Sequence, residues 1–406
     1  MLRTEAAPVE PRTGDAPARE ATADATERRR GRSSAEPGRT PTPRDPFLDN
    51  AKYLGILLVA AGHAWEPLRA GSATVTALYT LVYAFHMPVF AMISGRLSRH
   101  FEATPGQLAH LLTGVVVPYV VFETAYSLFT RWSSEDPDRP ITLLDPLYLT
   151  WYLAALFIWR LTSPAWRLVR HPLPWALAIA ALATLTPSLG DDLDLQRVLQ
   201  FLPYFVLGLT LDDSHLALLH RRLTRLLAVP VLALALWAVP HLDYPWFFHN
   251  TAATDLGAPA WAGPLMTLAT FGCSVTLAAA FLSCVPRRRT WCTPLGTGTL
   301  YAYLLHGFLA QTAEHEGWYG APWLHSPTGV ATVTLLATTT TTALCTPHLR
   351  RLCRTALETP LRWALTSGAH SGPLPPRRGQ PRGTAPGATN SEENEAGTLT
   401  HMKVHP

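Results

Sequence analysis

The chain has 406 residues, 48% of them hydrophobic and 15% charged, with 33 lysines plus arginines, 29 aspartates plus glutamates and a formal net charge of +4. This composition suits a large soluble core or a membrane protein, and no nucleic-acid partner is expected at a charge so close to balance. The five cysteines, Cys273, Cys284, Cys292, Cys345 and Cys353, lie in apolar segments or at their arginine-rich ends, which excludes a disulfide framework. Their spacing fits no zinc signature, so no metal site is expected.

Residues 1–44 are rich in proline, alanine and charge and have almost no large apolar side chain, so they cannot bury a core and read as a disordered cytoplasmic tail. Arg28, Arg29 and Arg30 are followed by polar, proline-rich sequence instead of an apolar stretch, and a cleaved signal is not expected. Residues 45–350 form the membrane domain, and residues 351–406 return to a mostly disordered tail. The mean hydropathy of +0.10 is diluted by both tails.

Between the tails, ten apolar segments are candidate membrane spans: 48–66, 77–95, 108–130, 145–161, 173–189, 198–212, 225–241, 262–284, 295–313 and 326–346. The segments at 145–161 and 198–212 are near or under the usual minimum for crossing a bilayer. With a cytoplasmic N-terminus, the inner loops collect Arg96 and Arg99, Arg167 and Arg170, Arg221 to Arg225, Arg287 to Arg289, and Arg350 to Arg354. The opposite loops hold scattered arginines beside acidic SSEDPD and GDDLD. The expected fold class is therefore an all-α integral membrane protein of about ten transmembrane helices, multi-pass in the plasma membrane, with both termini cytoplasmic.

Ionisable side chains inside the spans are functional candidates, because each is costly in hydrocarbon. In DNAKYLGILLVAAGH, Lys52 and His63 stand eleven positions apart, three helical turns, and share a face at a separation of about 16 Å. Lys52 is one of only two lysines in the chain, the other being Lys403. The second span carries His86, the third Glu123 and the ninth His306. Each also has a structural reading: Lys52 as a residue snorkelling to the headgroups, the histidines as neutral imidazoles bonded between helices, Glu123 as a structural partner, and Pro88 and Pro118 as kinks.

Two motifs carry a resemblance. DNAKYLGILLVAAGH, followed by FHMPVFAMISG at the end of the second span, resembles acyltransferase family 3, multi-spanning membrane acyltransferases, and especially its sugar O-acetylase branch. In that family a basic residue precedes a first-span histidine by eleven positions, as Lys52 precedes His63. Phe85 to Pro88 and Ser94-Gly95 match the second-span motif, while Trp151-Tyr152-Leu153 and Tyr303 to His306 resemble weaker features of the fourth and ninth spans. The chain departs from the commoner pattern in having lysine for arginine at position 52, which removes the bidentate fork and keeps a point charge suited to phosphate.

The resemblance implies ten helices and transfer of an acyl group, commonly acetyl from acetyl-CoA, to a hydroxyl of a sugar, surface glycan or glycosylated metabolite. Acyl-CoA is a co-substrate, and no bound cofactor is expected. The CoA nucleotide is expected at the cytoplasmic mouth near Lys52, Ser94, Gly95 and Arg96, with the pantetheine arm along the Lys52–His63 stripe. His63 is expected as general base, imidazole being the side chain that exchanges a proton near neutral pH, and Trp151 and His306 are expected to bind substrate. His86, Glu123 and His306 could hold the acceptor, stabilise an oxyanion or relay a proton; direct transfer and an acyl-histidine relay both remain open. Glu66 either orients His63 or simply ends its helix in solvent. The outer-loop aromatics Trp246, Phe247, Trp261, Trp318, Tyr319 and Trp323 read first as an interfacial belt and second as a sugar platform. A transporter or flippase of a polar or lipid-linked substrate is the alternative, although no pair of matching interrupted spans marks inverted repeats. The arginine, alanine and leucine bias suggests a GC-rich bacterial genome.

Overall fold

Asp45 caps the first helix: its carboxylate accepts from the Phe47 amide at 2.9 Å, and Pro46 follows at the first helical position. The helix it caps, α1 (Pro46–Trp65), is buried on nearly every side and is the hub of the fold. A computed structural model describes residues 44–365 except 134–136, 139, 188, 190–191 and 243, with side chains described through residue 357. Apart from Arg44, the expected N-terminal tail lies outside the described residues, and so do residues 366–406 of the C-terminal one.

The described residues are helical, with no strand. After α1 come α2 (Ala73–Tyr83) and α3 (His86–Ser98), then α4 (Pro105–Leu111), a π-helical turn at Leu112–Val116 and α5 (Val117–Trp132). The chain continues through α6 (Trp151–Trp166), α7 (Pro172–Thr184), α8 (Leu195–Thr210), the short α9 (Asp213–Leu219) and α10 (Arg222–Ala238). It ends with α11 (Ala262–Cys284), α12 (Thr299–His315), α13 (Pro327–Leu344) and α14 (Pro347–Leu365). Each of the ten segments read as spans contains helix, though in 145–161 it begins only at Trp151 and in 173–189 it ends at Thr184. The segment read as a tail from residue 351 opens with helix as far as Leu365.

Among the described residues, four stretches are long and apolar enough to cross a membrane: Ala73–Ser98, Pro105–Trp132, Arg222–His241 and Ala262–Cys284. Pro327–Leu344 and Pro347–Leu357 qualify together as a fifth, bent by 58°. Of the Arg222–His241 stretch only 11% of the apolar window is buried, leaving Leu226, Val229, Leu234 and Trp237 exposed. A face this apolar belongs in hydrocarbon.

Two breaks position the site. Proline has no amide proton and its ring collides with the carbonyl four residues back, so Pro88 interrupts the second apolar stretch at Ala84 and Phe85. The break leaves His86 as the first residue of α3, against α1, instead of in mid-helix. Upstream of Pro118 the chain widens into the π turn Leu112–Val116.

Helix packing accounts for other singular residues. A Cβ on Gly95 would lie 2.0 Å from the Phe205 carbonyl oxygen, and one on Gly208 would lie 2.1 Å from that of Met92. α3 and α8 therefore touch backbone to backbone, a contact only glycine permits. Tyr53 and Thr342 share a hydroxyl hydrogen bond at 2.9 Å, and Trp65 Nε1 donates to Thr334 Oγ1 at 2.7 Å, joining α1 to α13 at both ends. At the foot of α1, fully buried Asn50 donates to the carbonyls of Pro286 and Arg288 and accepts from Thr290 and Thr293. All its hydrogen-bonding capacity goes to clamping the arginine-rich loop after α11.

Candidate active site

The last two turns of α1 present His63, and Glu66 caps the helix through its own amide. Residues three apart share a helix face, which brings His63 Nδ1 to 3.6 Å from Glu66 Oε2. The Tyr148 hydroxyl lies 2.9 Å from the same nitrogen. The second Glu66 oxygen accepts from the Tyr79 hydroxyl at 3.2 Å and lies 3.7 Å from the Arg69 guanidinium. That guanidinium in turn covers the rings of Tyr79 at 4.3 Å and Tyr244 at 4.9 Å. Glu66, its side chain 37% exposed at the helix end, is also joined to His63 within a network.

His63 and Glu66 face a cavity of about 360 Å³ whose wall includes His86, Tyr148, Trp151 and Arg197. His86 Nδ1 lies 2.9 Å from the Val82 carbonyl oxygen; since a carbonyl only accepts, this nitrogen carries the proton and Nε2 the lone pair. The Tyr83 ring stands 4.8 Å from that of His86 and 6.2 Å from that of His63. Trp151, the first residue of α6, packs against Phe201 at 5.2 Å, with the Arg197 guanidinium 5.1 Å from its ring. Arg197 is also bonded to Asp194 at 2.8 Å.

His306 approaches His63 from α12, its ring 5.6 Å away. Its Nδ1 donates to the Ala302 carbonyl at 3.0 Å, while Nε2 is buried without a hydrogen-bond partner among the described residues. Glu123 is completely buried in α5 and does not line the cavity. One of its oxygens accepts from the Leu147 amide at 2.9 Å and from the Thr150 hydroxyl. It thereby clamps the turn on which Tyr148 sits in a left-handed conformation, φ 53°.

The residues expected at the nucleotide end are not gathered in this way. Lys52 Nζ pairs with Asp49 at 2.7 Å, and Arg96 donates to the Leu211 carbonyl at 2.6 Å and pairs with Asp213. Ser94 shares a hydrogen bond with the Tyr152 hydroxyl at 2.8 Å, and Gly95 faces α8. Along the Lys52–His63 face, Val59 stands in the cavity wall with His63, whereas Ile56 is buried in the core, so packed side chains close the lower part of the stripe expected to carry the pantetheine arm.

The structure thus unites His63, His86 and Trp151 at one cavity, places His306 beside them, and connects Glu123 through Tyr148. A family model for an acyltransferase domain, acyltransferase family 3, matches residues 45–348. The chain belongs to acyltransferase family 3. The match covers α1 through the first residues of α14, so the cavity and all of its walls lie within the acyltransferase domain. With its apolar helices, this family 3 chain is a membrane acyltransferase. Neither the curated proteins nor the solved structures compared with it give a match.

Several residues of this acyltransferase site carried no signal in the sequence. Tyr148 stood in DPLYLT as one aromatic among many, and Arg197 read as a scattered loop charge. Tyr79 and Tyr83, four apart on α2, have the spacing of an ordinary buried face. Of the outer aromatics weighed as a belt or a platform, Phe247 is in the cavity wall, whereas Trp261 is 72% exposed.

Proposed function

We propose that this acyltransferase is a multi-pass protein of the cell membrane with ten spans and both termini cytoplasmic, transferring an acyl group from acyl-CoA to a hydroxyl of a sugar or glycan. The observation that carries the reading is the contact of His63 with Tyr148 and Glu66 at the edge of a polar, aromatic cavity. If Nδ1 of His63 donates toward Tyr148 and the Glu66 carboxylate, Nε2 holds the lone pair a general base needs.

In the proposed step, His63 Nε2 takes the acceptor hydroxyl proton as the oxygen attacks the thioester carbonyl. A C–O bond forms, the C–S bond breaks, and the departing CoA thiolate recovers the proton from the imidazolium. Glu66 stabilises the positive imidazole, and Tyr148 holds its ring in orientation. Trp151 offers a flat surface to a sugar ring, while Arg197, His86 and Tyr83 supply polar groups for its hydroxyls. Glu123 acts as a positioning residue through Tyr148. At the cytoplasmic end, Lys52 and Arg96 meet the donor phosphates by exchanging Asp49 and Asp213 for the ligand.

The test is acyl-CoA turnover by nanodisc-embedded protein over a panel of sugar acceptors, comparing wild type with His63→Ala at matched folding. Acceptor-dependent CoA release that falls by about 100-fold or more in the variant supports the reading. Equal release in both proteins removes His63 from the chemistry.

A further inference from the structure

A second cavity reaches His306, the histidine beside His63, from another side. It measures about 420 Å³ and lies between α1, α12 and α13. Its walls are made by Ala60 and Ala64 of α1, Ala310 and Ala313 of α12, and Leu336 and Ala337 of α13, and no charged side chain lines it. Trp318, Tyr319 and Trp323 stand in the wall as well, on the loop between α12 and α13. His306 is the imidazole in its wall, and it touches both this cavity and the neighbourhood of His63, 5.6 Å away.

We propose that this cavity binds the hydrocarbon chain of the acyl donor, and that the group transferred is a medium-length acyl chain instead of acetyl. The inference rests on the acyltransferase reading above and specifies its donor. The polar cavity is walled by His63 and the apolar one by His306, whose ring lies 5.6 Å from that of His63. The one lined by Glu66, Arg197 and tyrosines suits a hydroxylated acceptor. The other is mostly alanine, leucine, valine and indole, with Tyr319, His306 and a few threonine hydroxyls among them, and has no charged side chain to meet a phosphate. A reacting carbonyl at His63 would place its sulfur and alkyl substituents on different sides, and the alanine-lined space beside His306 accepts the alkyl one.

Size agrees with this assignment. An acetyl group has a single methyl beyond its carbonyl and would leave nearly all of the cavity unfilled. The small side chains at 60, 64, 310, 313 and 337 are what keep it open, since any larger residue on these facing helices would close it. Leu309 and Leu336 are 49% and 61% exposed, so the space opens sideways toward lipid as well as inward toward His306. A chain of several methylenes is accommodated there without displacing the core.

Calorimetric titration of nanodisc-embedded protein with acetyl-, butyryl- and hexanoyl-CoA, corrected with empty nanodiscs, tests this without an acceptor. Binding tightens roughly fourfold per added methylene if the chain enters the cavity. Ala310→Phe and Ala337→Phe, each at a partly open wall position, then reduce the hexanoyl-to-acetyl affinity ratio by about tenfold or more, whereas Leu268→Phe on the distant lipid face of α11 leaves it unchanged. A flat profile in wild type, or a slope that survives both wall variants, overturns the chain assignment while acetyl-CoA binding leaves the acyltransferase reading standing. Wall variants that raise KM for a polyprenyl-linked sugar but not the acyl-CoA ratio overturn it in favour of the acceptor's lipid tail. Absence of binding by every acyl-CoA overturns both readings.

Discussion

The Tyr148 hydroxyl lies 2.9 Å from Nδ1 of His63, although the two residues stand 85 positions apart in the chain. Tyr148 reaches that nitrogen from a left-handed turn held by a buried carboxylate. The positioning of the proposed base thus depends on a loop between α5 and α6 as much as on α1 itself.

Tyr148→Phe removes the hydroxyl and keeps the ring. A lost hydrogen bond of about 1 kcal/mol lowers kcat/KM by roughly fivefold to tenfold. Steady-state kinetics should place the loss mainly in kcat, with the thermal unfolding midpoint little changed.

Glu123→Ala leaves the Leu147 amide and the Thr150 hydroxyl without the carboxylate that now accepts from them. The Thr150 hydroxyl keeps the Leu147 carbonyl as acceptor, but stranding the Leu147 amide costs about 1–3 kcal/mol, so a drop in thermal stability and activity is expected together. Glu123→Gln retains an accepting oxygen and should recover most of the stability. Unfolding monitored in detergent checks both variants.

Gly95→Ala drives a methyl into the Phe205 carbonyl oxygen. Overpacking of this kind costs about 3 kcal/mol or more when backbone must move. The variant should lose monodisperse protein on size exclusion, as should Gly208→Ala. Ser94→Ala, which removes only the hydrogen bond to Tyr152, should not.

Lys52→Met separates two roles of the lysine. If Lys52 meets donor phosphate, KM for acyl-CoA rises by about tenfold or more with little change in kcat, and adding Asp49→Asn does not restore it. Restoration by the second substitution would reduce Lys52 to the neutralising partner of Asp49.

A face shared by Lys52 and His63 follows from their spacing, because helical periodicity is a property of neighbouring residues. The same locality made the apolar segments, the Pro88 break and the family motifs legible. Hydropathy also separated the lipid-facing α10 from the polar tails. What those neighbours could not reveal was occupancy: other helices pack over Ile56 on the face between Lys52 and His63, while Val59 of the same face stands in the cavity wall.

The sequence by itself determined the helical membrane class, the acyltransferase family and the identity of His63 as the residue to examine, since composition, period and motif are all read along one strand of chain. Tertiary structure alone decided which groups meet His63. It brought Tyr148 and His306 to it from distant segments, turned Gly95 to a helix contact, and set a polar cavity at His63 and an apolar one at the neighbouring His306. These are meetings between helices, and the free energies that select them come from packing and satisfied polar groups across the whole bundle, which no local pattern encodes.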